Sequence, residues 1–487
     1  MYRLSALQIQ KLFFEKKVSA VEIAEYFLKR IHQEDGKIGS FLKVLDERCL
    51  KKARELDEKL KEGKPLGKLA GIPVAIKDNI HIKGEKTTCA SKILEHYTAP
   101  YDATVTELIE KEDGLIIGKN NLDEFAMGST NENSAYFPCK NPWNLLLTPG
   151  GSSGGGAASV SARLCSISLG SDTGGSIRLP ASFTGICGFK PSYGRVSRFG
   201  LVAYASSLDQ IGPMATCVED VALMSEVLSG HDPKDSTSFQ ETKESYLDDL
   251  KLSVQGKKVG VPYEFLESMN EQRRQHFESS LEKLRQLGCT IVPVKLPMSL
   301  HSIPVYYILA PAEASTNLAR YDGISFSERS KAAESLEEVY EFSRRDGFGK
   351  EVKQRILLGT YVLSAGHQDA YYKKAQKVRK LIIEEFEKAF SECDIIAMPT
   401  SPGAAFPIGS IQDPVKMYLQ DIYTIPANMA GLPAISIPTG FTEENLPLSI
   451  QMVGPYKEDG RVLRFAYQLE QHLNLKSMIP PLYDREV

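Results

Sequence analysis

Residues 148–180 read TPGGSSGGGAASVSARLCSISLGSDTGGSIRLP and constrain the chain more than any other stretch. Two clusters of glycine and serine, 150–156 and 170–176, flank a short apolar run. Glycine lets a backbone approach a ligand closely and take conformations closed to other residues, at an entropic cost that packing must offset. Serine hydroxyls serve as nucleophiles, proton carriers or hydrogen-bond partners. A flexible linker would share this composition. It would not contain a small-residue helix running into a strand over 157–169, nor end in Ser176-Ile177-Arg178. The stretch reads as a site held by a packed fold.

The chain has 487 residues, 42% hydrophobic and 25% charged, as expected of a globular protein. A net charge of −4 gives no global electrostatic case for binding nucleic acid or a membrane surface. The eight cysteines stand singly, without a C-x-x-C pair, so neither a zinc cluster nor a disulfide framework is suggested. Isolated cysteines of this kind behave as small buried hydrophobes, and a reducing, cytoplasmic location is expected. No signal peptide and no membrane span are predicted, because no apolar run is long enough.

The order of elements suggests one α/β unit with an insertion. Residues 1–62 read as helices: Ser5-x-x-Gln8 and Ser19-x-x-Glu22 both fit capping boxes. Residues 63–230 alternate strands, at 69–80 and 114–119, with helices at 103–112 and 218–228, which predicts a mixed, largely parallel sheet covered on both faces. Within this core, 188–198 and 206–213 read as turn-rich. Residues 231–390 form a helix-rich insertion with two strands, at 257–262 and 290–294. A continuous helix is expected over 369–390, with Ala375, Val378, Leu381, Ile382 and Phe386 on its apolar side. Residues 391–487 return to strands, followed by a last helix at 461–473.

Several chemistries can be weighed against the glycine- and serine-rich stretch. Gly150-x-Ser152-x-Gly154 formally matches a nucleophile elbow, but Thr148-Pro149 makes a poor strand end before it, and no histidine lies between His96 and His231. Phosphate-cradling motifs and helically spaced metal ligands are lacking. A serine nucleophile activated by lysine remains. Asp172-Thr-Gly-Gly-Ser176 would set successive backbone N–H groups around Ser176, able to hold an oxyanion. Lys77, flanked by Val74, Ile76 and Ile80, is a candidate base, because burial drives an amine toward its neutral form. A second serine could relay the proton. Spacing alone leaves Ser152 and Ser153 equivalent.

These segments resemble the amidase signature family. Its motif is matched by Gly150-Gly-Ser-Ser-Gly-Gly155, by Gly170-Ser-Asp-Thr-Gly-Gly-Ser-Ile-Arg178 and by the lysine in Ile76-Lys-Asp-Asn79. The three motifs fall in the family's order, and the likeness covers nearly the whole chain. It implies Ser176 as acyl-ester nucleophile, Ser152 as bridging serine in a cis peptide, Lys77 as base, and the backbone of Thr173, Gly174, Gly175 and Ser176 as oxyanion hole. Gly156 and Leu179 depart from the usual pattern without touching the triad.

Further segments are similar to the family's glutaminase branch, which works within tRNA-dependent amidotransferases: residues 123–129, 192–203, 206–213, 347–360, 369–374 and 421–428. That likeness implies glutamine as substrate, with Arg355 and Asp421 holding its α-carboxylate and α-ammonium, and Met127 and Gly128 lining the same pocket. It implies no cofactor or metal in this chain. ATP and magnesium would be used by B and C partner subunits of a heterotrimer, which would also make the main contacts with misacylated tRNA. A stand-alone amidase for small or aryl amides is the alternative enzyme, and would need no such charged pair. A non-catalytic scaffold protein would need no triad.

Overall fold

The structure, a computed structural model, describes the chain apart from residues 241–244, 268, 270, 476–477 and 487. One sheet of eleven strands runs through the molecule. The strands are β1 Phe41–Val44, β2 Pro73–Lys77, β3 Leu115–Asn120, β4 Ile167–Asp172, β5 Cys187–Lys190 and β6 Gln210–Ala215. They continue with β7 Lys258–Val261, β8 Thr290–Pro293, β9 Ile395–Pro399, β10 Ala434–Phe441 and β11 Pro447–Val453. Their order across the sheet is β1-β3-β2-β4-β6-β5-β10-β11-β9-β7-β8.

The fold is α/β with a mixed sheet, but it is less parallel than the alternation of elements predicts. Parallel pairing is confined to β3-β2-β4 on one flank and β9-β7-β8 on the other, while β4-β6-β5-β10-β11-β9 is antiparallel throughout. The reason lies in β5 and β6, in segments whose glycines and proline read as turns. A Cβ on Gly212 would collide with the Phe189 carbonyl oxygen, so glycine there reflects close approach between backbones. The helix-rich residues 231–390 contribute β7 and β8 to the same sheet.

Helices Ala6–Phe14 and Ala20–Ile38 open with the expected capping boxes, Ser5 with Gln8 and Ser19 with Glu22. The helix expected over 369–390 is unbroken, opening with a π-helical turn at Asp369–Lys373 that runs into the α-helix Lys374–Phe390. Ala375, Ile382 and Phe386 are buried there, but Leu381 is 45% exposed. The buried stripe follows the 375–382–386 row, and Leu381 sits beside it on the outer face. Apolar clusters fill both sides of the sheet, one around Ile76, Leu169 and Ile435 and another around Ile117, Ala157 and Ile177. A third, around Tyr204, Tyr306, Tyr307 and Phe125, carries the helices of the insertion.

Candidate active site

Lys77 ends β2, whose five residues are all buried between β3 and β4. Its side chain is 1% exposed. The Nζ donates to Ser152 Oγ at 2.7 Å, and to Ser153 Oγ and Ser171 Oγ at 2.9 Å each. Asn79 Nδ2 donates to the same Ser171 hydroxyl at 3.0 Å. Burial brings the Lys77 pKa down to about 7, against the opposing pull of Asp123, Asp172 and Asp209. Near neutral pH a large share of this amine is therefore uncharged, with a lone pair directed among hydroxyls.

Ser152 follows a cis peptide bond from Gly151. Its carbonyl accepts from the Asp123 N–H at 3.1 Å, and the next residue's N–H donates to the Ser176 carbonyl at 3.1 Å. The Ser152 loop and the Ser176 turn are thus joined through backbone. The helix Gly154–Ser161 then carries small residues into the sheet face, where all eight are buried. The Ser176 side chain makes no hydrogen bond to another described residue.

The turn that bears Ser176 is shaped by Asp172 at the end of β4. Its carboxylate accepts from the N–H of Gly175 at 2.9 Å and of Ile177 at 3.1 Å. Arg178 Nε and Nη2 bind the same carboxylate, and Arg178 also reaches Thr424, Gln451 and Asn428. Burial disfavours the Asp172 charge, but Arg178 outweighs it and holds the pKa at about 2. The Gly175 N–H is already committed to Asp172, whereas those of Thr173, Gly174 and Ser176 have no partner among the described residues.

Arg355 and Asp421, 66 residues apart in sequence, come to one cavity region. Arg355 lies on the helix Lys350–Leu363, its guanidinium 5.5 Å from the ring centroids of both Tyr204 and Tyr307. Its Nε donates to Glu351 at 2.7 Å and its Nη1 to the Tyr204 hydroxyl at 2.7 Å. Nη2 has no partner among the described residues. A cavity of about 250 Å³ is lined by Gly128, Ser129, Tyr307, Glu351 and Arg355. Ser129 Oγ donates to Asp421 Oδ2 at 2.6 Å, and Asp421 Oδ1 lies 2.9 Å from where a Cβ on Gly175 would stand. The carboxylate therefore abuts the Ser176 turn. Burial raises the Asp421 pKa to about 7, although Ser129 pulls it back.

Gly128 lines the cavity, but Met127 does not. Its side chain is fully buried in the apolar cluster with Tyr204 and Tyr307, the usual destination of an apolar side chain beside a polar pocket. Sequence reasoning missed Ser171, Ser129, Tyr204 and Glu351. Ser171 stands inside the 170–176 motif one residue before Asp172, and its neighbourhood was the available signal. Ser129 and Glu351 stand inside the segments 123–129 and 347–360 that carry the likeness, and Tyr204 just after 192–203, but no local pattern marks them as facing the cavity.

A buried lysine among serine hydroxyls, on a mixed sheet wrapped by helices, defines a class. The chain belongs to the amidase family, which it matches over residues 22–463. Along its whole length it is 57% identical to the A subunit of the glutamyl-tRNA(Gln) amidotransferase of Protochlamydia amoebophila, 99% of which is covered. It is 52% identical over its full length to the protein of the same name from Chlamydia pneumoniae, again with 99% covered. The crystal structure of the A subunit of the glutamyl-tRNA(Gln) amidotransferase of Thermotoga maritima superposes with a TM-score of 0.80 at 43% identity, covering 97% of this chain and 95% of that one. Among the described residues no helix is long and apolar enough to cross a membrane, and no cluster of candidate metal ligands occurs.

Proposed function

We propose that this chain is the glutamine-hydrolysing A subunit of a tRNA-dependent amidotransferase. It releases ammonia that B and C partner subunits, with ATP and magnesium, use to convert Glu-tRNA(Gln), and Asp-tRNA(Asn), to the amides. The observation that carries the reading is Arg355 on the cavity wall together with Asp421, which is bonded to the cavity-lining Ser129. Arg355 suits a carboxylate, Asp421 suits an ammonium, and Asp421 touches the turn of the reactive serine. A neutral aryl or alkyl amide would make no use of either the free Arg355 Nη2 or the Asp421 carboxylate. The names of the full-length relatives agree with this substrate.

In the proposed mechanism, uncharged Lys77 draws a proton from Ser152 as Ser152 takes one from Ser176. The Ser176 Oγ attacks the glutamine side-chain carbonyl, and the oxyanion rests on the N–H groups of Thr173, Gly174 and Ser176. The Ser152–Ser176 contact closes on substrate binding, as catalytic hydrogen bonds commonly do. Lys77 returns the proton through Ser152 to the leaving nitrogen, and ammonia departs. Water, deprotonated along the same path, hydrolyses the glutamyl ester. The test is ammonia release from glutamine by the complex that a tag on this chain retrieves from its own cells. Release that rises with misacylated tRNA and ATP supports the reading, whereas hydrolysis of simple amides alone overturns it. We place the protein in the cytoplasm, with translation.

A further inference from the structure

The short segment from Asp123 to Ser129 joins the Ser152 loop to Asp421. The Asp123 N–H donates to the Ser152 carbonyl, and Ser129 Oγ donates to Asp421. Between them stands Glu124, 2% exposed, pointing neither at the cavity nor at solvent. Its carboxylate accepts from the Gly349 N–H, with Oε2 at 2.8 Å and Oε1 at 3.1 Å. Gly349 is the N-cap of the helix Lys350–Leu363 that carries Glu351 and Arg355, and it offers no side chain to cap that helix. A Cβ on Gly349 would collide with Glu124 Oε2, so only glycine lets the two meet. Ser91 Oγ donates to the other side of the carboxylate and also to the Gly347 carbonyl. Phe125 packs its ring on Phe348 at 5.6 Å and on Tyr321 at 5.2 Å. The segment before the Arg355 helix is therefore fastened at three consecutive points, 347, 348 and 349, by residues 91, 124 and 125.

We infer that Glu124 is a positioning residue for the substrate α-carboxylate, setting the distance between Arg355 and the Ser152–Ser176 turn by capping the Arg355 helix from the strut that also holds Ser152. The inference rests on Arg355 binding that carboxylate, as proposed above. A carboxylate at a helix N-terminus satisfies an otherwise orphaned N–H and complements the helix dipole. Here the cap comes from 225 residues away in sequence, so it fixes where the helix begins relative to the catalytic turn. Arg355 lies within two turns of that cap, so a shift of the helix start becomes a shift of the guanidinium. A misplacement of about one ångström in a binding group is enough to lose much of the benefit of orientation.

The experiment compares glutamine with 4-aminobutyramide, which is glutamine without its α-carboxylate, as substrates of the intact complex carrying wild type, Glu124→Ala, Glu124→Gln or Gly349→Ala. Glu124→Ala and Gly349→Ala should each raise KM for glutamine by about 10-fold with kcat within about 3-fold, the signature of lost ground-state binding. Neither should change kcat/KM for 4-aminobutyramide. Glu124→Gln, whose amide oxygen still accepts from Gly349, should restore KM to near the wild-type value. Gly349→Ala keeps the test open if Glu124→Ala fails to fold. An unchanged glutamine KM in both variants, or equal losses on the two amides, overturns the positioning role while leaving the glutaminase intact. A wild-type complex that turns over neither substrate overturns the functional reading and this inference with it.

Discussion

Asp172 and Arg178 meet as a two-point ion pair with no solvent exposure, Nε to Oδ2 at 3.1 Å and Nη2 to Oδ1 at 3.0 Å. The two residues bracket the reactive turn, and the carboxylate spends its remaining lone pairs on Gly175, Ile177 and Asn428. The turn is thus built around a buried charge, not around apolar packing.

Removing one member of such a pair leaves the other charge buried and unanswered. Arg178→Met should cost about 3–5 kcal/mol of stability, read as a lower midpoint in denaturant unfolding with the slope unchanged. Activity should fall further than stability explains, because the turn donors lose their frame. A variant as stable as wild type would mean that the turn does not depend on the pair.

Lys77 and Asp421 together make a prediction about pH. Below a pKa of about 7 Lys77 is protonated and cannot accept a proton, so kcat/KM should fall with acid for any amide. Asp421, with a pKa of about 7 before substrate binds, must be ionised to hold an ammonium. It therefore affects only substrates that carry one. For butyramide, which lacks both amino-acid groups, the acid limb should have unit slope. For glutamine it should be steeper, approaching two protons. Equal slopes would remove Asp421 from the binding step.

Arg355→Ala should lose about 2–5 kcal/mol of glutamine binding, a rise in KM of about 30-fold or more, with a smaller effect on kcat. Arg355→Lys keeps the charge but loses the planar fork and the stacking on Tyr204 and Tyr307, so it should fall between the two. KM for 4-aminobutyramide should be unaffected by either. Steady-state kinetics on the two substrates checks this, and a parallel loss on both would contradict it.

Where contacts are local, the chain is legible. Ser176, Ser152 and Lys77 sit in contiguous motifs, and the capping boxes at Ser5 and Ser19 are each contained in one short stretch. Features set by contacts between distant segments are not. The strands at Cys187–Lys190 and Gln210–Ala215 carry glycine where neighbouring residues crowd them, a fact that appears only once the sheet is assembled. The Gly175 N–H reads as available until the Asp172 carboxylate, fixed by residues 178 and 428, takes it. Met127, predicted at the pocket wall from its motif, turns into the apolar layer behind it. Glu124 was invisible for the same reason: its partner, Gly349, lies 225 residues further on.

The claim on which the rest depends is that Ser176 forms an ester with the glutamyl group, using Lys77 as base. The direct measurement is acid quenching of the intact complex during glutamine turnover, followed by mass analysis of the peptide that carries Ser176. The account predicts a glutamyl adduct on Ser176, absent in Ser176→Ala, with ammonia release abolished in that variant and nearly so in Lys77→Ala, the two effects being non-additive. Ammonia release that persists in Ser176→Ala, or an adduct on any other residue, would contradict it.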